Sequence, residues 1–96
     1  SDLPTALVCG NDLMAIGALN ALRQAGIDVP GQMSVIGFDD IAACTICSPP
    51  LTTIAADRTG IGATAVDMVL EPGEPASRLL PVGLTVRAST APPARA

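Results

Sequence analysis

Between residues 5 and 38 two short apolar runs flank one capped, helically periodic segment, and few folds accept that order of signals. The first run, Thr5-Ala6-Leu7-Val8-Cys9, ends at Gly10-Asn11-Asp12. Asn and Asp are preferred helix N-caps because their side-chain oxygens accept from the first free backbone amides. From residue 13 to residue 25, apolar side chains at 15, 16, 18, 19 and 22 keep a helical period. Gly26 stands where a C′ glycine belongs, with Ile27 available for the accompanying apolar contact. Asp28-Val29-Pro30-Gly31 is turn chemistry, and Met33-Ser34-Val35-Ile36-Gly37-Phe38 is a second strand running into Asp39-Asp40. Both strands are almost continuously apolar, which predicts burial on both faces, as in a parallel sheet. Strand, helix and returning strand make a βαβ unit, right-handed by the general rule for such connections. In such sheets ligands meet polar groups at the carboxyl ends of the strands, where Asn11 and Asp39 both fall.

The rest of the chain continues the alternation. Residues 41–48 are small and mildly apolar, with room for one helical turn before Pro49-Pro50. Residues 51–54 read as a third short strand. Residues 59–70 read as a second helix, capped by Asp57 and stopped by Glu71-Pro72-Gly73-Glu74-Pro75. Its Ile61, Ala65, Met68 and Val69 share one face and predict a core stripe. Residues 79–81 and 84–87 read as edge strands around a Val82-Gly83 bend, and residues 91–96 as a disordered tail.

Composition excludes more than it assigns. The 96 residues suffice for one domain or part of one, and an opening without Met reads as a piece of something longer. An apolar fraction of 49% with only 15% charged residues excludes a solvating, disordered polymer. No apolar run reaches the roughly 18 residues of a membrane span, and no charged-then-apolar leader pattern opens the chain. Nine acids against five scattered Arg give a net charge of −4, so this stretch does not itself neutralise nucleic-acid phosphates. The absence of His and Lys removes the commonest general base, the Schiff-base amine and the phosphate-binding lysine together. No enzyme is expected. With Phe38 the single aromatic, the chain cannot build a stacking platform alone.

Three local motifs carry possible chemistry. Cys44-Thr45-Ile46-Cys47 has the spacing of a redox pair or half a zinc site. A redox pair wants a long helix directly after a strand, whereas two prolines follow here almost at once. Zinc wants four ligands, and Cys9 is the one other soft donor. The small-residue packing reading is preferred, and no metal or cofactor is expected. An odd cysteine count also argues against a disulfide framework and for a reducing cytoplasm. Asp39-Asp40 has the look of a phospho-acceptor pocket but lacks its lysine. Paired carboxylates also suit magnesium, a turn cap, or a ligand's polar groups, and the residues alone leave these open. Thr59-Gly60-Ile61-Gly62 lacks the third glycine of a dinucleotide pattern, so a helix start with close packing is the simpler reading.

The string from Thr5 to Ala18, with Gly10-Asn11-Asp12-Leu13-Met14-Ala15 at its centre, resembles a signature segment of the LacI/GalR family of bacterial transcription regulators. Gly26-Ile27-Asp28-Val29-Pro30, Ser34-Val35-Ile36-Gly37-Phe38-Asp39-Asp40 and Pro49-Pro50-Leu51-Thr52-Thr53-Ile54 resemble three more, in family order. Leu80-Pro81-Val82-Gly83-Leu84-Thr85-Val86-Arg87-Ala88-Ser89-Thr90 is similar to the family's closing strand motif. The likeness spans about residues 4–90.

This resemblance implies an α/β fold: part of a doubly wound, Rossmann-like parallel sheet from the C-terminal lobe of a type I periplasmic-binding-protein-like domain. Residues 1–90 would be the C-terminal part of the effector-binding and dimerisation domain. The DNA-binding helix-turn-helix and the first lobe would lie outside this chain, and operator DNA would be met only through them. Carried over residue by residue, Asn11 and Asp39 are similar to family residues that hydrogen-bond an effector. Arg58 falls where the family packs a residue on the ligand, and its cation admits an acidic or phosphorylated effector. Ile16, Ala43, Ile46 and Cys47 resemble the family's dimer-forming surface, which implies a homodimer. The linker at Glu71-Pro72-Gly73-Glu74 is short for the family. The implied protein is a cytoplasmic repressor that senses a sugar-like small molecule; the alternative is a periplasmic sugar-binding protein of a transport system.

Overall fold

The computed structural model describes residues 2–74 and 76–94. Arg95 and Ala96 of the expected tail and Pro75 of the expected helix stop lie outside the described residues, as does Ser1. In chain order the elements are β1 (Ala6–Val8), α1 (Asp12–Gln24), β2 (Ser34–Phe38), a 3-10 turn (Ala42–Thr45), β3 (Thr52–Ala56), α2 (Arg58–Leu70) and β4 (Val82–Thr85). Each helix begins and ends for the reason its residues give. Asn11 caps α1, and Gly26 (φ +75°) closes it, its N–H donating to Arg23 O at 3.1 Å and the Ile27 N–H to Leu22 O at 2.9 Å. Asp57 caps α2 by accepting from the Gly60 N–H at 3.0 Å.

The strands lie in the order β1-β2-β3-β4. β1, β2 and β3 run parallel, in the register Leu7↔Val35 and Gly37↔Thr53. β4 returns antiparallel against β3. One face of this sheet carries the core. Ala15 and Leu19 of α1 pack with Val35, Leu51 and Cys44, the last supplied by the 3-10 turn, and all five are buried.

The expected burial of both sheet faces is not found. Side chains alternate along a strand, so Val8, Ile36 and Phe38 point away from Leu7, Val35 and α1. Val8 is 79% exposed and Phe38 39%. The reason is a shortage of cover: α1 is the one described helix that packs on the sheet. The expected core stripe on α2 is likewise corrected. None of its residues is buried, and Val69 is 82% exposed. Its apolar residues surround the helix instead of marking one face, so no single contact could cover them. A third correction concerns the closing strands. Residues 79–81 form no strand, and the expected Val82-Gly83 bend is the regular start of β4, because both residues pair with β3 through Ala56 and Ala55.

After β4 the chain stitches the amino ends of β2 and β3 together. Ser89 is fully buried there. Its hydroxyl donates to Val35 O at 2.6 Å and accepts from the Thr52 N–H at 2.8 Å, while its carbonyl accepts from the Val35 N–H at 2.9 Å. The Ala91 N–H donates to Ser34 Oγ at 3.1 Å.

Candidate functional site at the carboxyl ends of three parallel strands

Parallel pairing and sequential order bring the segments that follow β1, β2 and β3 to one end of the sheet, and these carry Asn11, Asp39 and, as the first residue of α2, Arg58. The three residues expected to meet an effector therefore fall at one edge. Asn11 is extended and half-buried, and its Oδ1 accepts from the Met14 N–H at 2.9 Å. With that oxygen occupied by the cap, its amide N–H groups are what it can offer a ligand. Arg58 opens α2 and is exposed.

Asp39 and Asp40 both have positive φ, +121° and +61°. Such backbone costs a non-glycine residue roughly 1–3 kcal/mol and persists where the surroundings impose it. The Asp39 N–H is held by Ile54 O at 2.9 Å, on the neighbouring strand. Asp40 Oδ1 takes a 2.7 Å ion pair from Arg87 Nη2, and Arg87 Nη1 donates to Leu51 O at 2.9 Å. The hydrogen bond it donates to Asp40 raises the Arg87 pKa above its ordinary value.

Asp12 lies behind this turn with no solvent exposure. Its Oδ2 accepts from the Ile41 N–H at 2.8 Å and its Oδ1 from the Thr53 hydroxyl at 2.5 Å. Burial pushes this carboxyl upward. Hydrogen bonds from Thr53, the Ile41 amide and the Cys44 thiol outweigh it, so the pKa lies below the ordinary carboxylate value. Gly37 leaves room for the arrangement. A methyl group there would strike Asp12 Oδ1 and stand 3.1 Å from Asp12 Cα and from Leu51 Cδ2. Neither Asp12 nor Thr53 was among the residues expected at the site. In sequence Asp12 reads only as a second cap residue, and its partner is 41 positions away.

Cys44 and Cys47 serve packing. Cys44 is buried, and desolvation with the adjacent Asp12 carboxylate pushes its thiol up to about 12, so the nucleophilic thiolate is strongly disfavoured. Cys47 Sγ donates to Pro49 O at 3.3 Å. All three cysteines are free, and no cluster of three or more metal-ligating side chains occurs among the described residues. Ile16 and Cys47 pack on the rim of the same core cluster, Ala43 is half-buried, and Ile46 is 84% exposed.

A mixed sheet whose three parallel strands end in polar groups places the chain in the class of α/β lobes. The profile of the periplasmic binding protein-like domain matches residues 1–90, and the chain belongs to that family, in its LacI/GalR line. Over 70 residues it is 51% identical to the HTH-type transcriptional repressor PurR of Haemophilus influenzae, covering 73% of this chain and 21% of that protein. It is 46% identical over 69 residues to the PurR repressor of Glaesserella parasuis, covering 72% of this chain and 20% of that one. The chain thus spans about a fifth of the length of these relatives. Among solved structures it resembles a dimeric Lac repressor with a C-terminal deletion (39% identity, TM-score 0.84, 95% of this chain and 35% of that one). It also resembles a LacI family regulator of Lactobacillus casei with bound sucrose (26% identity, TM-score 0.74, 91% and 34%).

Proposed function

We propose that this chain is the C-terminal part, residues 1–90, of the effector-binding and dimerisation domain of a LacI-type transcription regulator. The observation that carries this is the convergence of Asn11, Asp39 and Arg58 at the carboxyl ends of three adjacent parallel strands. Asn11 donates to a hydroxyl or ring oxygen, the Asp39 carboxylate accepts from effector hydroxyls, and Arg58 meets an anionic substituent. A sugar or sugar-like molecule with an acidic group fits this set, and the sucrose bound to the Lactobacillus casei relative supports the class. Ile16, Ala43, Ile46 and Cys47 line the contact between two copies. Operator DNA is met by a separate DNA-binding domain, since the net charge of −4 opposes phosphate contact here. The protein works in the cytoplasm without catalysis; no described helix is long and apolar enough to cross a membrane. The repressor relatives favour this reading over a transport-system binding protein.

The test is a chimera in which the 70 matched residues of this chain replace their counterparts in the Haemophilus influenzae repressor. Thermal shifts and operator release are read with monosaccharides, sucrose, sugar phosphates and nucleosides. One of these stabilises the chimera and changes operator affinity, and Asp39→Ala weakens that response by roughly 1–3 kcal/mol through loss of a charge-assisted hydrogen bond. A chimera that binds operator but gives the same response with Asp39→Ala as without it refutes the effector role.

A further inference from the structure

Asp39 is a useful ligand group only if its backbone stays where the strand end puts it, and Asp backbone does not choose φ +121° followed by φ +61° unaided. Three close restraints hold these residues, beside a longer 3.4 Å bond from the Asp40 N–H to Thr53 Oγ1. The Ile54 carbonyl takes the Asp39 N–H, the Asp12 carboxylate takes the Ile41 N–H, and the Arg87 guanidinium takes the Asp40 carboxylate. The first two come from the sheet and from α1, which also carry the core. The third comes from the segment after β4, which contributes no residue to the core cluster around Val35. Arg87 is itself well fixed. Its N–H donates to Thr52 Oγ1 at 2.9 Å, its Nη1 to Leu51 O at 2.9 Å, and the next residue's N–H to Pro50 O at 3.0 Å. The ion pair is largely shielded, with side-chain exposures of 18% for Arg87 and 29% for Asp40, and solvent screens it less than a surface pair.

We infer that Arg87 is a positioning residue for Asp39: its ion pair with Asp40 sets the left-handed turn from which Asp39 reaches the ligand, and so ties the site to the closing segment. This rests on the proposed role of Asp39 at the effector site. Removing the guanidinium leaves the Ile54 and Asp12 bonds in place but also frees Leu51 O, a loss that Asp40→Asn does not share.

The test is the amide spectrum of the isotopically labelled 96-residue chain, with no ligand added. Arg87→Gln displaces the Asp39, Asp40 and Ile41 resonances while those of α2 stay in place. Asp40→Asn displaces the same three, the double variant displaces them no further than either single one, and Arg87→Lys restores them in part. Resonances of Asp39 and Ile41 at wild-type positions in a folded Arg87→Gln variant overturn the inference. If Arg87→Gln does not fold, Asp40→Asn decides, because it keeps every backbone bond of Arg87: a changed three-bond HN–Hα coupling of Asp39, which reports φ and not the neighbouring substitution, supports the inference, and an unchanged coupling overturns it. Since no ligand enters, failure of the Asp39→Ala test on the chimera leaves this result standing, and the two readings fail separately.

Discussion

The Thr53 hydroxyl donates to Asp12 Oδ1 at 2.5 Å across 41 positions of chain, and both residues are fully buried. This bond joins the first turn of α1 to the second residue of β3 past Gly37 of β2. A buried carboxylate is costly unless its lone pairs are filled, and here Ile41, Thr53 and Cys44 fill them. The fold thus uses a charged group as the internal brace of its ligand edge, and the stability of that edge follows the state of one proton.

Asp12→Asn should therefore destabilise the chain and flatten its response to acid. The folded carboxyl has a lowered pKa, so its contribution is complete above the unfolded value of about 4 and disappears as pH falls through the lower folded value. Urea midpoints from pH 6 to pH 3 check this. Wild type loses stability on acidification more steeply than the variant, and the variant is weaker by about 1–3 kcal/mol at pH 6, because one amide N–H must face a buried donor. Parallel acid limbs would refute the role.

Cys44 gives the opposite limb. Its thiol, raised to about 12 when folded, ionises near 9 when unfolded, so the unfolded chain sheds a proton first and stability declines between those values. The slope should approach about 1.4 kcal/mol per pH unit for this one group. The chain contains no Tyr and no Lys to obscure it, and Cys9, whose thiol burial also raises, adds to the same limb. Cys44→Ala removes most of the decline from pH 9 to pH 11 in urea midpoints, at a packing cost of about 1–2 kcal/mol. A wild-type midpoint that is flat over that range would overturn the account.

Two glycines separate conformational need from steric need. At Gly26, φ is +75° with open space where a Cβ would go, so Gly26→Ala costs about 1–2 kcal/mol through backbone strain alone. At Gly37 the backbone is ordinary strand, but a Cβ would meet the Asp12 carboxylate and main chain. Gly37→Ala should cost more, roughly 2–4 kcal/mol, and should also blunt the acid limb attributed to Asp12. Equal losses in thermal unfolding would contradict the steric account.

Local signals explain what could be read in advance. Asn11, Gly26 and Asp57 act within three to five residues of their partners, so the helix limits and the βαβ order were legible. The strand-end placement of Asn11 and Asp39 followed from that order. Long-range pairing was not legible. Asp12 and Thr53, Ser89 and Val35, and Arg87 and Asp40 are 41, 54 and 47 positions apart, and each of these residues has an ordinary local reading as cap, strand or polar surface. Burial of α2 and of the second sheet face failed for a related reason. Apolar periodicity says that a surface needs cover and not which segment supplies it. Arg58 and the set Ile16, Ala43, Ile46 and Cys47 rest on the family likeness more than on any local rule.

The uncovered surfaces predict association of the 96-residue chain. β1 pairs on one side only, beside the exposed Val8, and an open apolar edge recruits another strand. Ile46 offers a second route, a two-fold contact in which it meets its own counterpart. Either route makes the melting temperature rise with protein concentration, because association adds to apparent stability. Ile46→Glu discriminates between them: two like charges buried at a two-fold axis should yield monomers in sedimentation velocity. If the variant still dimerises, association runs through the β1 edge and the Ile46 contact is refuted. A wild-type monomer with a cooperative melt that is independent of concentration would refute both routes, and would mean that α2 or the closing segment swings over the open face in solution.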